Sequence, residues 1–408
     1  MIKALTFRQL LFILPLLAIL AVFSVYPILS SFAYTFFDFR PTDPTRASLN
    51  VRDGFVSWRF HRDALSMADF VLEQEAGEAP NEEAYAEIRE VQALIRDFAA
   101  PFEGEDTRGI SRAEHDEIYS FLHEMEGRIA ALYDAYPDAD FWHREFLPVR
   151  FGALRDNFFE SNFVGLGNYG ELARDSRFWS ALRVTLIFTA ISVFLELVLG
   201  MAMALIMNQA IKGIGGIRTV ALIPWAIPTA VAALMWGFLY DGSNGVVAHI
   251  FSVMGIIEAP TVMLVSTWGA MASAILADVW KTTPYMALLL LAGLQTIDSG
   301  LYESASIDGS GRVGTFAKIT LPLMKSSILV ALLFRMLDAF RVFDLIFVLT
   351  GGGPGNATET LSIYAHRLMI QQQNFGYGST VVIAMFLCVA AIAFIFVKVL
   401  GAEIFKSE

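Results

Sequence analysis

Apolar residues gather in six long runs along this chain, at about Leu10–Phe37, Leu182–Met207, Thr219–Tyr240, Met271–Leu294, Ile328–Leu349 and Thr380–Leu400. About twenty apolar residues suffice to cross a bilayer, so the pattern predicts six membrane-spanning helices. Lys3 and Arg8 precede the first run, which exceeds a signal-peptide core and lacks a small-residue cleavage site. It reads as a retained anchor. Lys212 and Arg218 fall in the second loop, Arg312, Lys318 and Lys325 in the fourth, and Lys398 and Lys406 near the end. This positive bias predicts cytoplasmic termini, with loops one, three and five outside.

Between the fourth and fifth runs lies Leu301–Leu323, LYESASIDGSGRVGTFAKITLPL, which is too polar to span. Its start predicts a short helix, capped by Asp298 or Ser299 and carrying the small side chains Ser304, Ala305 and Ser306. Asp308-Gly309 and Ser310-Gly311 then turn the chain, and a second helical piece with Phe316 and Ile319 is expected to stop at Leu321-Pro322. Small residues on an exposed helix let another protein approach closely. The segment therefore reads as a helix-turn-helix knob built to be gripped.

The first loop is long, about 125 residues, and has a helical period. Tyr85, Ile88, Val91, Ile95 and Phe98 form one apolar stripe; Ile118, Phe121, Leu122, Met125, Ile129, Leu132 and Tyr133 form another. Ser111 with Glu114 makes a capping box ahead of the second stripe, and Pro80-Asn81 opens the first. A third helix is expected over Asp63–Glu75. The loop thus reads as a small helical subdomain, with Phe141-Trp142-His143 and Phe158-Phe159 where the chain returns to the membrane surface.

Composition sharpens this division. The chain is 55% hydrophobic and 17% charged with mean hydropathy +0.53, the balance of a polytopic membrane protein. Its formal charge is −12, yet Phe39–Glu160 holds 13 Arg, no Lys and 26 acidic residues, a net of −13. The acidity belongs to the insert alone, and nothing in the core suits nucleic acid. The single cysteine, Cys388, sits in an apolar run, so no intrachain disulfide forms. The domains expected are the N-terminal helix at 1–38, an acidic helical insert at 39–162, and a core at 163–408 that includes the loop 298–323.

No catalytic triad and no nucleotide-binding motif is present. Gly351–Gly355 lacks the Gly-Lys-Ser/Thr that a phosphate cradle needs and reads as a turn. His61, His115, His123 and His143 lack metal-ligand spacing. The informative polar groups lie at membrane depth, where an ionisable side chain marks a solute path or a structural pair. The fourth run carries Asp278, Trp280, Lys281, Thr282, Thr283 and Tyr285 around Pro284, and the fifth carries Arg335, Asp338, Arg341 and Asp344. On one helix those three-residue steps wind around the axis, so some groups pair while others face a cavity. Glu196 in the second run reads as structural.

Glu303, Ala305, Gly309, Ile319, Leu321 and Pro322 stand in the register of the Glu-Ala-Ala coupling loop of bacterial ABC importer permeases, with Ser304 where alanine is usual. FVGLGNYGEL, RFWSALRVTLIFT and VFDLIFVLTGGGPGNATETL further resemble the first permease of carbohydrate-uptake systems of the maltose/trehalose type. The resemblance implies an all-α integral membrane protein: a six-helix type I importer domain, here with a helical extracytoplasmic insert between helices one and two. It implies a bacterial-type inner membrane, a homologous second permease, two ATPase subunits that hold ATP and magnesium, and an extracytoplasmic solute-binding protein. No cofactor is expected in this chain. Ser304 and Asp308 join the coupling set. Aligned on the same motifs, the family's solute contacts fall on Asp278, Lys281, Thr282 and Tyr285, and on Asp338, Ala339 and Val342, with Trp280 and Arg341 adjacent. Only Tyr285 keeps the residue type suited to maltose. Open alternatives are structural salt bridges for Asp278/Lys281 and Asp338/Arg341, a polyol or glycerol-phosphate cargo favoured by Lys281 and Arg341, and an ion-coupled transporter.

Overall fold

In a computed structural model, which describes residues 7–43, 46–104, 108–209 and 213–404, the apolar runs become four unbroken helices and two bent pairs. Lys3, Lys212 and Lys406 lie outside the described residues. The described residues divide into two compact units, one reaching Asn168 and including Gln373–Gly376, the other holding Tyr169–Gln372 and the residues from Tyr377 on.

The first unit holds α1 (Leu14–Tyr34) and the insert. The side chains of α1 are almost entirely uncovered by protein, as a helix facing lipid requires. In the insert, α2 (Ser57–Ser66) runs on through a wide turn at Met67–Leu72 to Glu73–Gly77. It is followed by α3 (Glu82–Ala99), α4 (Arg112–Ala135) and α5 (Leu147–Arg155). Asn81 caps α3 through Ala84 N–H at 2.8 Å, and Ser111 caps α4 through Glu114 N–H at 3.2 Å. Ile88, Val91 and Ile95 meet Ile118, Leu122, Met125 and Ile129 in one core, and Phe98 stacks on Phe121 at 3.9 Å.

The insert is more than the two-stripe hairpin. Phe60, Ala64 and Leu72 of α2 and Phe151 and Leu154 of α5 complete the core. Three two-residue strands, β1 (Gly54–Phe55), β2 (Arg108–Gly109) and β3 (Phe158–Phe159), pair antiparallel in the order β2-β1-β3. Phe158 therefore stacks on Phe55 and Phe141 is buried in the core, which corrects their assignment to a membrane surface; Trp142 alone of that set is largely exposed. Tyr85 also leaves its stripe and lies beneath the Arg89 guanidinium at 5.0 Å.

In the second unit, α6 (Ser176–Met207) packs along α9 (Thr267–Leu294). A Cβ on Gly200 would fall 2.8 Å from Met286 Cγ, so the glycine is what lets the axes come this close. Both helices begin four to six residues before their apolar runs, because Asp175 and Ser266 cap the polar first turns. The third run breaks into α7 (Ile214–Ala226) and α8 (Thr229–Leu239), bent by 86°. Pro228 fixes its own φ and drives Ile227 to ψ 132°, which ends α7. Pro284, by contrast, leaves α9 unbroken.

The polar knob forms α10 (Ser299–Ile307) and α11 (Arg312–Leu323). As expected, α11 stops at Leu321-Pro322, ending one residue on at Leu323; a wide turn at Phe316–Thr320 already shifts the hydrogen-bond register so that the proline fits in the last turn. The chain then bends by 69° into α12 (Lys325–Phe340). A break at Arg341–Phe343 precedes α13 (Asp344–Leu349), so the charges of the fifth run do not share one helix. The last helix, α14 (Phe375–Ile404), buries Tyr377 and Val381 in a core that Val382, Met385, Val389 and Ile392 flank, and leaves its other faces largely uncovered.

Candidate solute cavity and coupling segment

The two helix breaks and the middle of α9 surround a polar cavity of about 490 Å³. From α9 come Asp278, Lys281 and Thr282; from the end of α12 and the break after it come Asp338, Ala339, Arg341 and Val342. Seven of the nine residues expected on a solute path thus meet around one space. The other two do not line it. Tyr285 stands behind Trp225, with rings parallel at 5.5 Å, while Trp280 turns the opposite way and packs edge-on to Trp236.

Asp344, one of the charges of the fifth run, also lines the cavity, as do Trp225 and Thr229, which sequence reasoning passed over. The readable signal was Ile227-Pro228 inside an apolar run, because a broken span at membrane depth is tolerated where it is buried or lines a cavity. The break frees backbone carbonyls, and Lys281 takes them up. Its Nζ donates to Ile227 O at 2.6 Å and Trp225 O at 3.2 Å. Lys281 therefore braces the end of α7 and is not paired with Asp278.

Behind the cavity lies a network of buried charges. Arg335, only 1% exposed, donates through Nε and NH2 to Glu196 Oε2 and Oε1 at 2.5 and 2.7 Å. Its NH1 reaches Asp338 Oδ2 at 2.6 Å and its NH2 reaches Asp278 Oδ2 at 3.3 Å. Thr282 Oγ1 stands 2.7 Å from Glu196 Oε1 and 2.6 Å from the Asp278 carbonyl. The supposed pairing of Asp338 with Arg341 is a loose 3.8 Å contact between exposed groups. Arg335 is the shared partner instead.

The coupling segment has a definite end to its first helix. Gly309 adopts φ +75°, its N–H donates to Ser306 O at 3.2 Å, and Ser310 N–H donates to Ala305 O at 2.9 Å. This double bond pattern is the left-handed C-cap that favours glycine. Ala305 is buried, whereas Glu303, Ser304 and Asp308 are exposed. Ile319 is half-buried and Leu321 and Pro322 are exposed. Ile307 and Val313 stand 86% and 82% exposed on either side of the turn. Tyr302 Oη lies 3.2 Å from Thr320 Oγ1 and ties the two limbs together.

Residues 196–406 match the family model described as "Binding-protein-dependent transport system inner membrane component". The chain belongs to that family. As such an inner membrane component it is a multi-pass transporter subunit and not an enzyme. The matched region begins at Glu196 and contains every expected site residue, but leaves the insert out. The trehalose/maltose transport system permease protein MalF of Thermococcus litoralis is 45% identical over 59% of this chain and 80% of the relative. The trehalose transport system permease protein SugA of Mycobacterium tuberculosis is 43% identical over 60% of this chain and 76% of the relative. Among solved structures, a bacterial ABC transporter involved in import of the acidic polysaccharide alginate shares the fold of this component, with TM-score 0.53 and 21% identity over 70% of this chain and 99% of that chain.

Proposed function

We propose that this chain is the first permease subunit of an ATP-driven importer of a carbohydrate, a disaccharide or short oligosaccharide such as trehalose or maltose. The observation that carries this reading is the cavity itself. Asp278 and Asp338 offer carboxylate acceptors for paired hydroxyls, and the exposed face of Trp225, backed by Tyr285, offers a platform for the apolar face of a sugar ring. The names of the similar permeases support the same cargo. Lys281, which by its charge would favour an anion, is engaged by two backbone carbonyls, and Arg341 shares the cavity with the Asp278, Asp338 and Asp344 carboxylates, so a neutral sugar fits better than a sugar phosphate.

In this reading both termini and the 298–323 segment are cytoplasmic and the insert is extracytoplasmic. A homologous second permease completes the path, a solute-binding protein delivers the sugar, and two ATPase subunits hold magnesium and ATP and hydrolyse the ATP. Glu303, Ser304, Ala305, Asp308, Gly309, Ile319, Leu321 and Pro322 form or support the surface the ATPase grips. Because α11 bends directly into α12, displacement of the knob moves Asp338. Both sites then bias one two-state element.

The test is uptake of radiolabelled trehalose and maltose by proteoliposomes holding the assembled transporter, its binding protein and internal ATP. Uptake that requires ATP supports the reading; ATP-independent uptake, or uptake of neither sugar, overturns it.

A further inference from the structure

The charges behind the cavity have a task that solute contact does not assign. Three helices meet at one guanidinium: Arg335 is on α12, Glu196 on α6 and Asp278 on α9. The two-point bond to Glu196 fixes the plane of the fork, which leaves NH1 aimed at Asp338 and NH2 shared with Asp278. Asp278 and Asp338 face the cavity, whereas Arg335 and Glu196 are buried behind it. Asp338 shows the asymmetry most plainly: its side chain is 58% exposed, yet one oxygen is held by a group that is not.

We propose that Arg335, locked by Glu196, is the positioning residue of solute recognition: it fixes where the Asp278 and Asp338 carboxylates stand in the cavity without itself touching solute. A planar fork is needed, since an ammonium group has three donors but all on one nitrogen, and cannot make the two-point bond to Glu196 that sets the directions toward Asp278 and Asp338. Glu196 is needed because a guanidinium free of α6 turns toward the two aspartates and draws them out of the cavity. The energetic case for burying these charges is weak on stability grounds, since a buried ion pair is often no better than an apolar pair of equal volume. Positioning supplies the reason. The inference rests on the carbohydrate reading of the cavity.

The experiment compares the assembled transporter carrying wild-type chain, Glu196→Gln, Arg335→Lys, or the apolar pair Glu196→Met with Arg335→Met, which keeps volume and removes the buried Glu196–Arg335 pair as a unit. Two quantities are read: trehalose and maltose uptake, and ATPase stimulation by the binding protein. Positioning predicts that all three variants lose uptake by about tenfold or more, as expected for a lost charged hydrogen bond, with a changed ratio between the sugars. ATPase stimulation stays within about twofold, because the coupling segment is untouched. Unchanged uptake and ratio in the apolar pair overturn the proposal, as does parallel loss of uptake and stimulation. If the wild type takes up neither sugar, the carbohydrate reading fails by itself, and the brace is judged on a structure of the assembled Glu196→Gln transporter. Arg335 leaving α6 with Asp338 following supports it; both staying in place overturns it.

Discussion

Glu196 accepts from Arg335 through both carboxylate oxygens, at 2.5 and 2.7 Å, across two helices and out of reach of solvent. Breaking such a pair from one side leaves a bare charge. Arg335→Met alone should destabilise the chain by about 3–5 kcal/mol, while the combined Arg335→Met and Glu196→Met chain should recover part of that loss, the remainder belonging to Asp278, which also loses its Arg335 partner. Thermal unfolding of the purified chain in detergent measures both, and a single variant as stable as wild type would remove the pair from the account.

Gly309 has open space where a Cβ would stand, so its role is purely conformational. Holding a residue with a side chain at φ +75° costs about 1–2 kcal/mol. Gly309→Val should fray the end of α10 and speed amide exchange at Ser306–Ser310, with Gly309→Asn affected less. Hydrogen exchange on the full chain reads this directly; equal exchange in all three chains would count against the capping role.

Gly293 and Ser327 bring α9 and α12 close together: a Cβ on Gly293 would sit 2.4 Å from Ser327 Cβ and 2.6 Å from its Oγ. Gly293→Ala should cost about 1–3 kcal/mol by forcing the helices apart. Adding Ser327→Gly should recover most of that loss. A second substitution that gives no recovery in melting temperature would place the strain elsewhere.

Glu75 is buried in the insert, and burial holds its carboxyl above the usual range, although the His143 N–H donates to it at 2.5 Å. The folded chain then keeps this proton to a higher pH than the unfolded chain. Its contribution to stability is fully present below the ordinary carboxylate range and is lost as pH rises through the raised value. Glu75→Gln keeps the acceptor and abolishes the titration, so the insert should resist proteolysis better than wild type at about pH 8 and equally at about pH 5. Digestion of the membrane-embedded full chain at both pH values checks this, and an identical pH response in the two chains would exclude Glu75.

Much of the architecture is legible in one dimension because burial repeats with the period of the helix. The stripes at Ile88–Ile95 and Ile118–Ile129, the caps at Asn81 and Ser111, and the apolar runs all state which face is hidden, and the structure pairs those faces. The coupling turn is legible for the same local reason: only Gly309 suits the left-handed cap that Asp308 leads into.

What only the tertiary structure decided is which partner each intramembrane charge would have. Lys281 is three residues from Asp278 and Arg341 three from Asp338, so spacing suggests those pairs, yet Lys281 serves the carbonyls freed at Ile227-Pro228 and Asp338 serves Arg335. A carboxylate at low dielectric takes the nearest well-aligned donor, and alignment depends on where separate helices cross. Close approach at Gly200 and Gly293 sets those crossings, and the two breaks bring Trp225 and Arg341 to the same space. Thus the period of the chain determined its elements, while the crossing of α6, α9 and α12 determined its site.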